Sequence, residues 1–245
     1  MRTIRIIFMT AALALTLFLS ACLPFGEGGG GKAVKSASEP LNDEVKAQVD
    51  QATDLLKRGN ASEALPLLMA AKREAPKNAD VDNYIGLTHY TLKDYEPAIS
   101  SFKSALELDS KRTDVRNNLG LVYLAQQDYE RALAEFNLCL KDQTYQKPQL
   151  PLNNIGQTYL EMGRYDEAAA ALVRATEVAP EYDRSYTRLG RVYLAQREYQ
   201  QALDALENAE RLTPGRPENC GLLREAHLGL GNSQAAASVC GGSAM

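Results

Sequence analysis

Cysteine supplies most of the reactive chemistry in this chain, which has four Cys and two His among its 245 residues. Cys22 follows a short apolar run, Cys139 lies in the middle, and Cys220 and Cys240 lie near the end. A cysteine thiol can carry a lipid, form a disulfide or bind a metal, depending on its surroundings. The elements that hold each thiol therefore decide its role.

The other polar residues form no pattern that is typical of catalysis. His89 and His227 lack Cys, His or carboxylate partners at metal-ligand spacing, and no nucleophile is paired with a base. The glycine-rich segment 26–31 lacks the Lys and Ser/Thr of a phosphate-binding loop. We therefore expect no enzymatic activity, no metal and no cofactor other than a covalent lipid. The net charge of −4 also argues against a nucleic-acid partner.

The first residues of the chain have the pattern of an export signal. Arg2 and Arg5 precede the apolar stretch 6–19, which is too short for a membrane span and has the length typical of a signal peptide. Leu-Ser-Ala-Cys at 19–22 resembles the lipobox of bacterial lipoproteins. The resemblance implies a signal peptide over 1–21, cleavage before Cys22, and a lipid on Cys22. The alternative is an ordinary signal peptide with a chance cysteine.

Residues 22–43 are predicted to be the lipidated cysteine and a flexible tether, because the segment is rich in Gly and lacks helical periodicity. Leu23 follows the lipidation site, where an Asp would favour retention at the inner membrane in some bacteria. By this family-level rule we expect a lipid anchor on the periplasmic face of the outer membrane. Other bacteria sort lipoproteins by different rules, so the inner membrane stays open.

A pattern with a period near 34 residues runs through the rest of the chain. Five alanines mark the pattern and lie 34, 34, 36 and 34 residues apart: Ala64, Ala98, Ala132, Ala168 and Ala202. Twelve residues before each alanine stands a small residue: Ala52, Gly86, Gly120, Gly156 and Gly190. Four residues after it stands a large apolar one: Leu68, Phe102, Phe136, Leu172 and Leu206. The pattern indicates pairs of antiparallel helices that bury their apolar faces by stacking.

This pattern resembles the tetratricopeptide repeat (TPR), most clearly at 117–123 and 153–159. The resemblance implies an all-α superhelix over 44–245, with five repeats and a degenerate sixth C-terminal helix pair. The predicted repeats span about 45–78, 79–112, 113–146, 149–182 and 183–216, with a partial repeat at 217–240.

The repeat register also predicts a disulfide. With positions numbered from the start of each repeat, the small residues that meet across a hairpin occupy positions 8 and 20, and contacting positions have a constant sum. Cys220 and Cys240 occupy positions 4 and 24, which have the same sum. We therefore expect them to be bonded in an oxidising compartment, the alternative being two separate buried thiols. Cys139 occupies an alanine position, so we expect a buried free thiol.

TPR proteins generally bind partners on a concave face lined by the first helix of each repeat, and here that face is predicted to change along the chain. The expected groove residues are apolar at Leu87, Tyr90, Leu121, Leu124 and Leu160, polar at Asn117, Asn153 and Gln157, and basic at Arg184, Arg188 and Arg191. Asn117 and Asn153, with Asn83, are expected to bond an extended backbone. Such a groove suits an amphipathic segment with an acidic end. The alternatives are ordinary packing between repeats and a solvated basic face.

The lipobox, tether and repeats together resemble the pilotin lipoproteins of type IV pilus systems. This resemblance implies an adaptor or chaperone that binds a secretin subunit and promotes its assembly in the outer membrane. Two alternatives stay open: a TPR lipoprotein subunit of the outer-membrane β-barrel assembly machinery, and a scaffold or activator of peptidoglycan enzymes.

Overall fold

The computed structural model describes residue 38 and residues 40–239, and within them it contains twelve helices and no strand. The predicted signal peptide, Cys22, most of the tether and Cys240 lie outside these residues. The helices are α1 Asp43–Lys57, α2 Ala61–Glu74, α3 Ala79–Thr91, α4 Tyr95–Leu108, α5 Thr113–Ala125, α6 Tyr129–Lys141, α7 Gln149–Glu161, α8 Tyr165–Val178, α9 Asp183–Ala195, α10 Tyr199–Leu212, α11 Pro217–Gly229 and α12 Ser233–Ser238.

Consecutive helices form six antiparallel hairpins, and each hairpin packs on the next. The first helices of hairpins two to six begin at residues 79, 113, 149, 183 and 217. α1 begins at Asp43, so the helix includes the last residue assigned to the tether. The sixth hairpin is incomplete, because α12 has only six residues. The predicted all-α TPR superhelix is confirmed.

A glycine in the first helix of the middle hairpins lies directly beneath a large side chain of the second helix. A Cβ added to Gly120 would come within 2.5 Å of the Phe136 ring, and one added to Gly156 within 2.5 Å of Leu172. Phe136 and Leu172 are fully buried. The large residue of the second helix therefore lies over the glycine itself.

The turn inside each hairpin is closed by one residue in the left-handed region. At the end of α3, Lys93 has φ +64°, its N–H donates to Tyr90 O at 3.0 Å, and Asp94 N–H donates to His89 O at 2.8 Å. This is the Schellman arrangement, which satisfies the last carbonyls of a helix. Gly163 closes α7 in the same way at φ +73°.

Polar side chains also join neighbouring hairpins. The carboxylate of Asp82 is buried between the first two hairpins, where it accepts from Lys72 at 2.6 Å and Ser104 at 2.7 Å. Cys139 is buried and free, as predicted, and its Sγ lies 3.4 Å from Thr113 O. No helix in the described part of the chain is long and apolar enough to cross a membrane.

Candidate protein-binding groove

The first helices of successive hairpins are joined by a row of side-chain hydrogen bonds, which we call the ladder. Asn118 Nδ2 in α5 donates to Asn83 Oδ1 in α3 at 3.1 Å, and Asn154 Nδ2 in α7 donates to Asn117 Oδ1 in α5 at 2.9 Å. The ladder holds the first helices side by side, which gives the groove a continuous floor.

Asn117 and Asn153 both belong to this ladder, and their expected bonds to a partner's backbone stay a prediction. Asn117 is 7% exposed and Asn153 is 1% exposed. Asn153 Nδ2 donates to Ser185 Oγ at 2.6 Å and to Gln149 O at 2.9 Å. Because buried amides in proteins are largely satisfied by internal hydrogen bonds, these contacts assign both residues a role in connecting repeats.

The predicted apolar groove residues divide into an accessible and a buried group. Leu87, Tyr90, Leu121 and Leu160 are half-buried, and Leu87, Tyr90 and Leu121 pack against one core cluster with an exposed edge. We call these four residues the apolar strip. Leu124 is 8% exposed and belongs to the core cluster, and its assignment to the partner-binding groove stays a prediction. Packing between repeats accounts for its apolar side chain.

Two features mark the borders of the apolar strip. The Tyr90 ring lies 6.4 Å from that of Tyr95, and burial, with the nearby Tyr95, raises the pKa of Tyr90. Its hydroxyl therefore stays neutral at physiological pH. Gln157 is half-buried and its Nε2 donates to Glu161 Oε1 at 2.8 Å. The groove surface therefore becomes mixed in α7, which carries both the polar Gln157 and the apolar Leu160, before the basic residues of α9.

The three predicted arginines of α9 do not act as one patch. Arg191 is paired with Glu218 at 2.8 Å. Arg184 and Arg188 instead line a cavity of about 400 Å³, together with Thr187, Arg216 and Glu218. We call this cavity the Arg188 pocket. Arg216 is paired with Asp183 at 2.6 Å, so two of the four nearby arginines have an acidic partner.

Arg188 is half-buried, whereas Arg184 and Arg191 are exposed. Burial lowers the pKa of Arg188, and the positive charges of Arg184 and Arg191 lower it further against the opposing influence of Tyr182 and Glu218. Nη1 of Arg188 donates to Asn153 Oδ1 at 3.4 Å. Sequence reasoning missed Arg216 and Thr187 at this pocket, because they lie in the next inter-repeat connection and on the buried face of α9.

The residues that the structure describes contain no group of three or more His, Cys, Asp or Glu side chains placed to hold a metal ion. His89 Nδ1 lies 3.5 Å from Asp94 at the end of α3, and His227 lies in α11. Cys220 also lies in α11. Its predicted bond to Cys240 stays a prediction, because Cys240 is outside the described residues.

A family model for the tetratricopeptide repeat matches residues 49–113 and 153–217, and a second one matches 112–181. The chain belongs to the tetratricopeptide repeat family. Repeats of this family are typically non-catalytic scaffolds for protein–protein interaction. A comparison with curated protein sequences finds no match.

Several solved structures share this fold. PilW, a widely conserved type IV pilus biogenesis factor, is 21% identical with a TM-score of 0.74, over 81% of this chain and 91% of PilW. PilF of Pseudomonas aeruginosa is 20% identical with a TM-score of 0.70, over 80% of this chain and 88% of PilF. A TPR protein of Parabacteroides merdae is 18% identical with a TM-score of 0.63, over 81% and 78%. At these identities the likeness establishes the fold alone.

Proposed function

We propose that this protein is an outer-membrane-anchored adaptor that binds a secretin subunit and promotes its assembly for type IV pilus biogenesis. The observation that carries the proposal is the apolar strip, which places four accessible apolar side chains on the first helices of three consecutive repeats. The similarity in fold to PilW and PilF supports the choice of pathway. The lipobox-like sequence before Cys22 supports the membrane anchor.

The proposed occupant of the groove is an amphipathic segment of the secretin subunit. Its apolar side packs on Leu87, Tyr90, Leu121 and Leu160, and an acidic end lies toward α9, where the arginines complement its charge. Each large apolar side chain of the segment that passes from full exposure to full burial contributes about 1.5–3 kcal/mol, and the strip residues contribute less because they are already half-buried. A few such contacts, less the cost of ordering the segment, are consistent with a reversible hold on an unassembled subunit.

The lipid and the tether give this hold its effect. A lipid on Cys22 keeps the adaptor at the membrane, with a second acyl chain making the anchoring stable. The glycine-rich tether lets the repeats reach subunits nearby. Bound subunits are thereby concentrated beside the membrane in which they oligomerise, which favours assembly without any new contact between them.

Affinity purification tests the proposed function. The tagged full-length protein is isolated from detergent-solubilised envelopes, and bound proteins are identified by mass spectrometry. We expect the wild type to recover a secretin and the double variant Leu87→Glu/Leu121→Glu to lose it, because two carboxylates in the strip oppose burial of an apolar segment. Leu138→Glu is the matched control, since Leu138 is 39% exposed on the second helix α6.

Circular dichroism and the urea midpoint establish that each variant is folded. Recovery of β-barrel assembly proteins or peptidoglycan enzymes without a secretin would refute the proposed partner. Undiminished recovery of the secretin by Leu87→Glu/Leu121→Glu would refute the apolar strip as its binding surface. For the anchor, Cys22→Ser is expected to abolish incorporation of radiolabelled palmitate, and labelling that persists would contradict lipidation at Cys22.

A further inference from the structure

Arg188 takes the place of an asparagine in the ladder. Counting from the start of each repeat, Asn118, Asn154 and Arg188 occupy the same register position. Asn118 and Asn154 each donate to an asparagine of the preceding repeat, at 3.1 and 2.9 Å. Arg188 makes the corresponding contact with Asn153 at 3.4 Å. A guanidinium therefore occupies an inter-repeat contact that an amide makes elsewhere.

The ladder contact uses only part of the guanidinium. Arginine has five N–H donors and no acceptor, and Arg188 makes one hydrogen bond and no ion pair with the residues of 40–239. The nearby carboxylates are engaged elsewhere: Asp183 is paired with Arg216 and Glu218 with Arg191. Keeping a half-buried cation with most of its donors unused costs free energy that the charge of Glu218 offsets only in part, so a ligand explains the position better than packing does.

The Arg188 pocket has the charge and size for that ligand. Its lining includes the guanidinium groups of Arg184, Arg188 and Arg216 and a single carboxylate, that of Glu218. Arg184 has no ion pair within the described part of the chain. It precedes Arg188 by four residues, about 6 Å along the helix axis. The volume of about 400 Å³ accommodates a short acidic side chain or two, whose oxygens match the planar donors of arginine.

We propose that the Arg188 pocket binds side-chain carboxylates of Asp or Glu from a peptide that lies in the groove. The inference rests on the proposed function for the presence of a peptide in the groove, and it does not require that the peptide come from a secretin. Arg188 forms the principal contact, Arg184 adds a second cation, and Asn153 orients the Arg188 side chain through the ladder.

Three fluorescein-labelled peptides with one shared amphipathic leucine–alanine body provide the test. One ends in Glu-Asp with an amidated C-terminus, one in Gln-Asn with an amidated C-terminus, and one in Gln-Asn with a free carboxylate. Arg188→Asn restores the residue of the two preceding repeats, so the ladder bond is retained while the charge is lost. Arg174→Asn, on the exposed face of α8, is the matched control for loss of one charge.

By fluorescence anisotropy, Arg188→Asn is expected to weaken binding of the Glu-Asp peptide about tenfold or more. Binding of the amidated Gln-Asn peptide should be unchanged, and Arg174→Asn should change neither. Equal weakening of both amidated peptides would assign Arg188 a structural role. Dependence on Arg188 only for the free-carboxylate peptide would make a chain terminus the ligand. Either result would overturn the proposal.

A second measurement decides the question without any peptide. Sodium glutarate is titrated to about 100 mM at constant ionic strength while the Arg188 Nε–Hε resonance is followed by NMR. A saturable shift that is absent in Arg188→Asn is expected, with chloride causing none. An unperturbed resonance would overturn the carboxylate pocket. Because neither probe contains secretin sequence, failure of the affinity purification and failure of the pocket are distinguishable.

Discussion

Replacing Gly120 with Ala tests the close packing inside the hairpins, because two opposing effects predict different signs. In an open helix position this substitution stabilises by about 1 kcal/mol, since Ala has the higher helix propensity. At Gly120 the new Cβ would lie 2.5, 2.8 and 3.0 Å from three ring carbons of Phe136. Phe136 is fully buried, so its ring cannot move away from the new Cβ without displacing other buried atoms.

The magnitude follows from these distances. Restoring an ordinary contact of at least 3.4 Å requires the ring or the helix to move by nearly an ångström, and overpacking of this kind costs about 1–3 kcal/mol. After subtraction of the propensity gain of about 1 kcal/mol, we expect Gly120→Ala to lower the free energy of unfolding by about 0–2 kcal/mol.

Gly221 supplies the matched control. It lies inside α11, is exposed, and a Cβ there would meet nothing within 4 Å. Gly221→Ala should therefore raise the free energy of unfolding by about 1 kcal/mol. Urea denaturation followed by circular dichroism measures both variants. Hydrogen exchange of α5 and α6 localises the effect, since repeat arrays need not unfold in one step.

A background variant separates the ring from other causes. Phe136→Val removes the three ring atoms that crowd the added Cβ, so Gly120→Ala in that background should become neutral or stabilising. Stabilisation by Gly120→Ala in the wild type, equal to that at Gly221, would refute the reasoning. It would mean that the hairpin has free space where the structure places a contact.

Three further predictions address the turns, the buried ion pair and the free thiol. Lys93→Gly should raise the free energy of unfolding by about 1 kcal/mol, because Lys93 has φ +64°, a conformation that strains a residue with a Cβ. Gly163→Ala, at φ +73°, should lower the free energy of unfolding by a similar amount for the same reason. Unchanged urea midpoints would contradict backbone strain at these turns. Asp82→Ala should cost about 1–3 kcal/mol, because it removes the buried acceptor of Lys72 and Ser104, and an unchanged urea midpoint would argue against this role. Burial raises the pKa of Cys139 to about 12 from 9.0, so unfolding releases a proton and stability should fall between about pH 9 and 12; Cys139→Ala should weaken this fall, and identical pH profiles would count against a protonated thiol.

The sequence predicted the fold well because the repeat is a local signal that recurs. The spacing of the alanines indicates a helical hairpin, and five copies of that signal leave little room for another architecture. The alanine position of Cys139 likewise predicted its burial. Periodicity also locates the turns, since Lys93 and Gly163 stand at equivalent positions.

The groove was harder to predict, because a register position does not determine exposure. Leu121 and Leu124 lie on the same helix three residues apart, yet one is half-buried and the other is in the core. Asn117 and Asn153 were expected to face a ligand, but an amide can equally bond an amide of the next repeat, and only the inter-repeat geometry decides. The pairing of Arg191 with Glu218 also joins different repeats, which a pattern within one repeat cannot reveal.

The ladder has a consequence for how such a protein can change over evolutionary time. At one register position, Asn154 and Arg188 both reach back to the preceding repeat, and the longer side chain has donors to spare. One codon can therefore alter the charge displayed to a ligand while the joint between repeats persists. Selection on ligand specificity and selection on the stability of the repeat array are thus partly uncoupled. A repeat protein of this kind can acquire a new specificity by substitutions at ladder positions, without longer loops or an added domain.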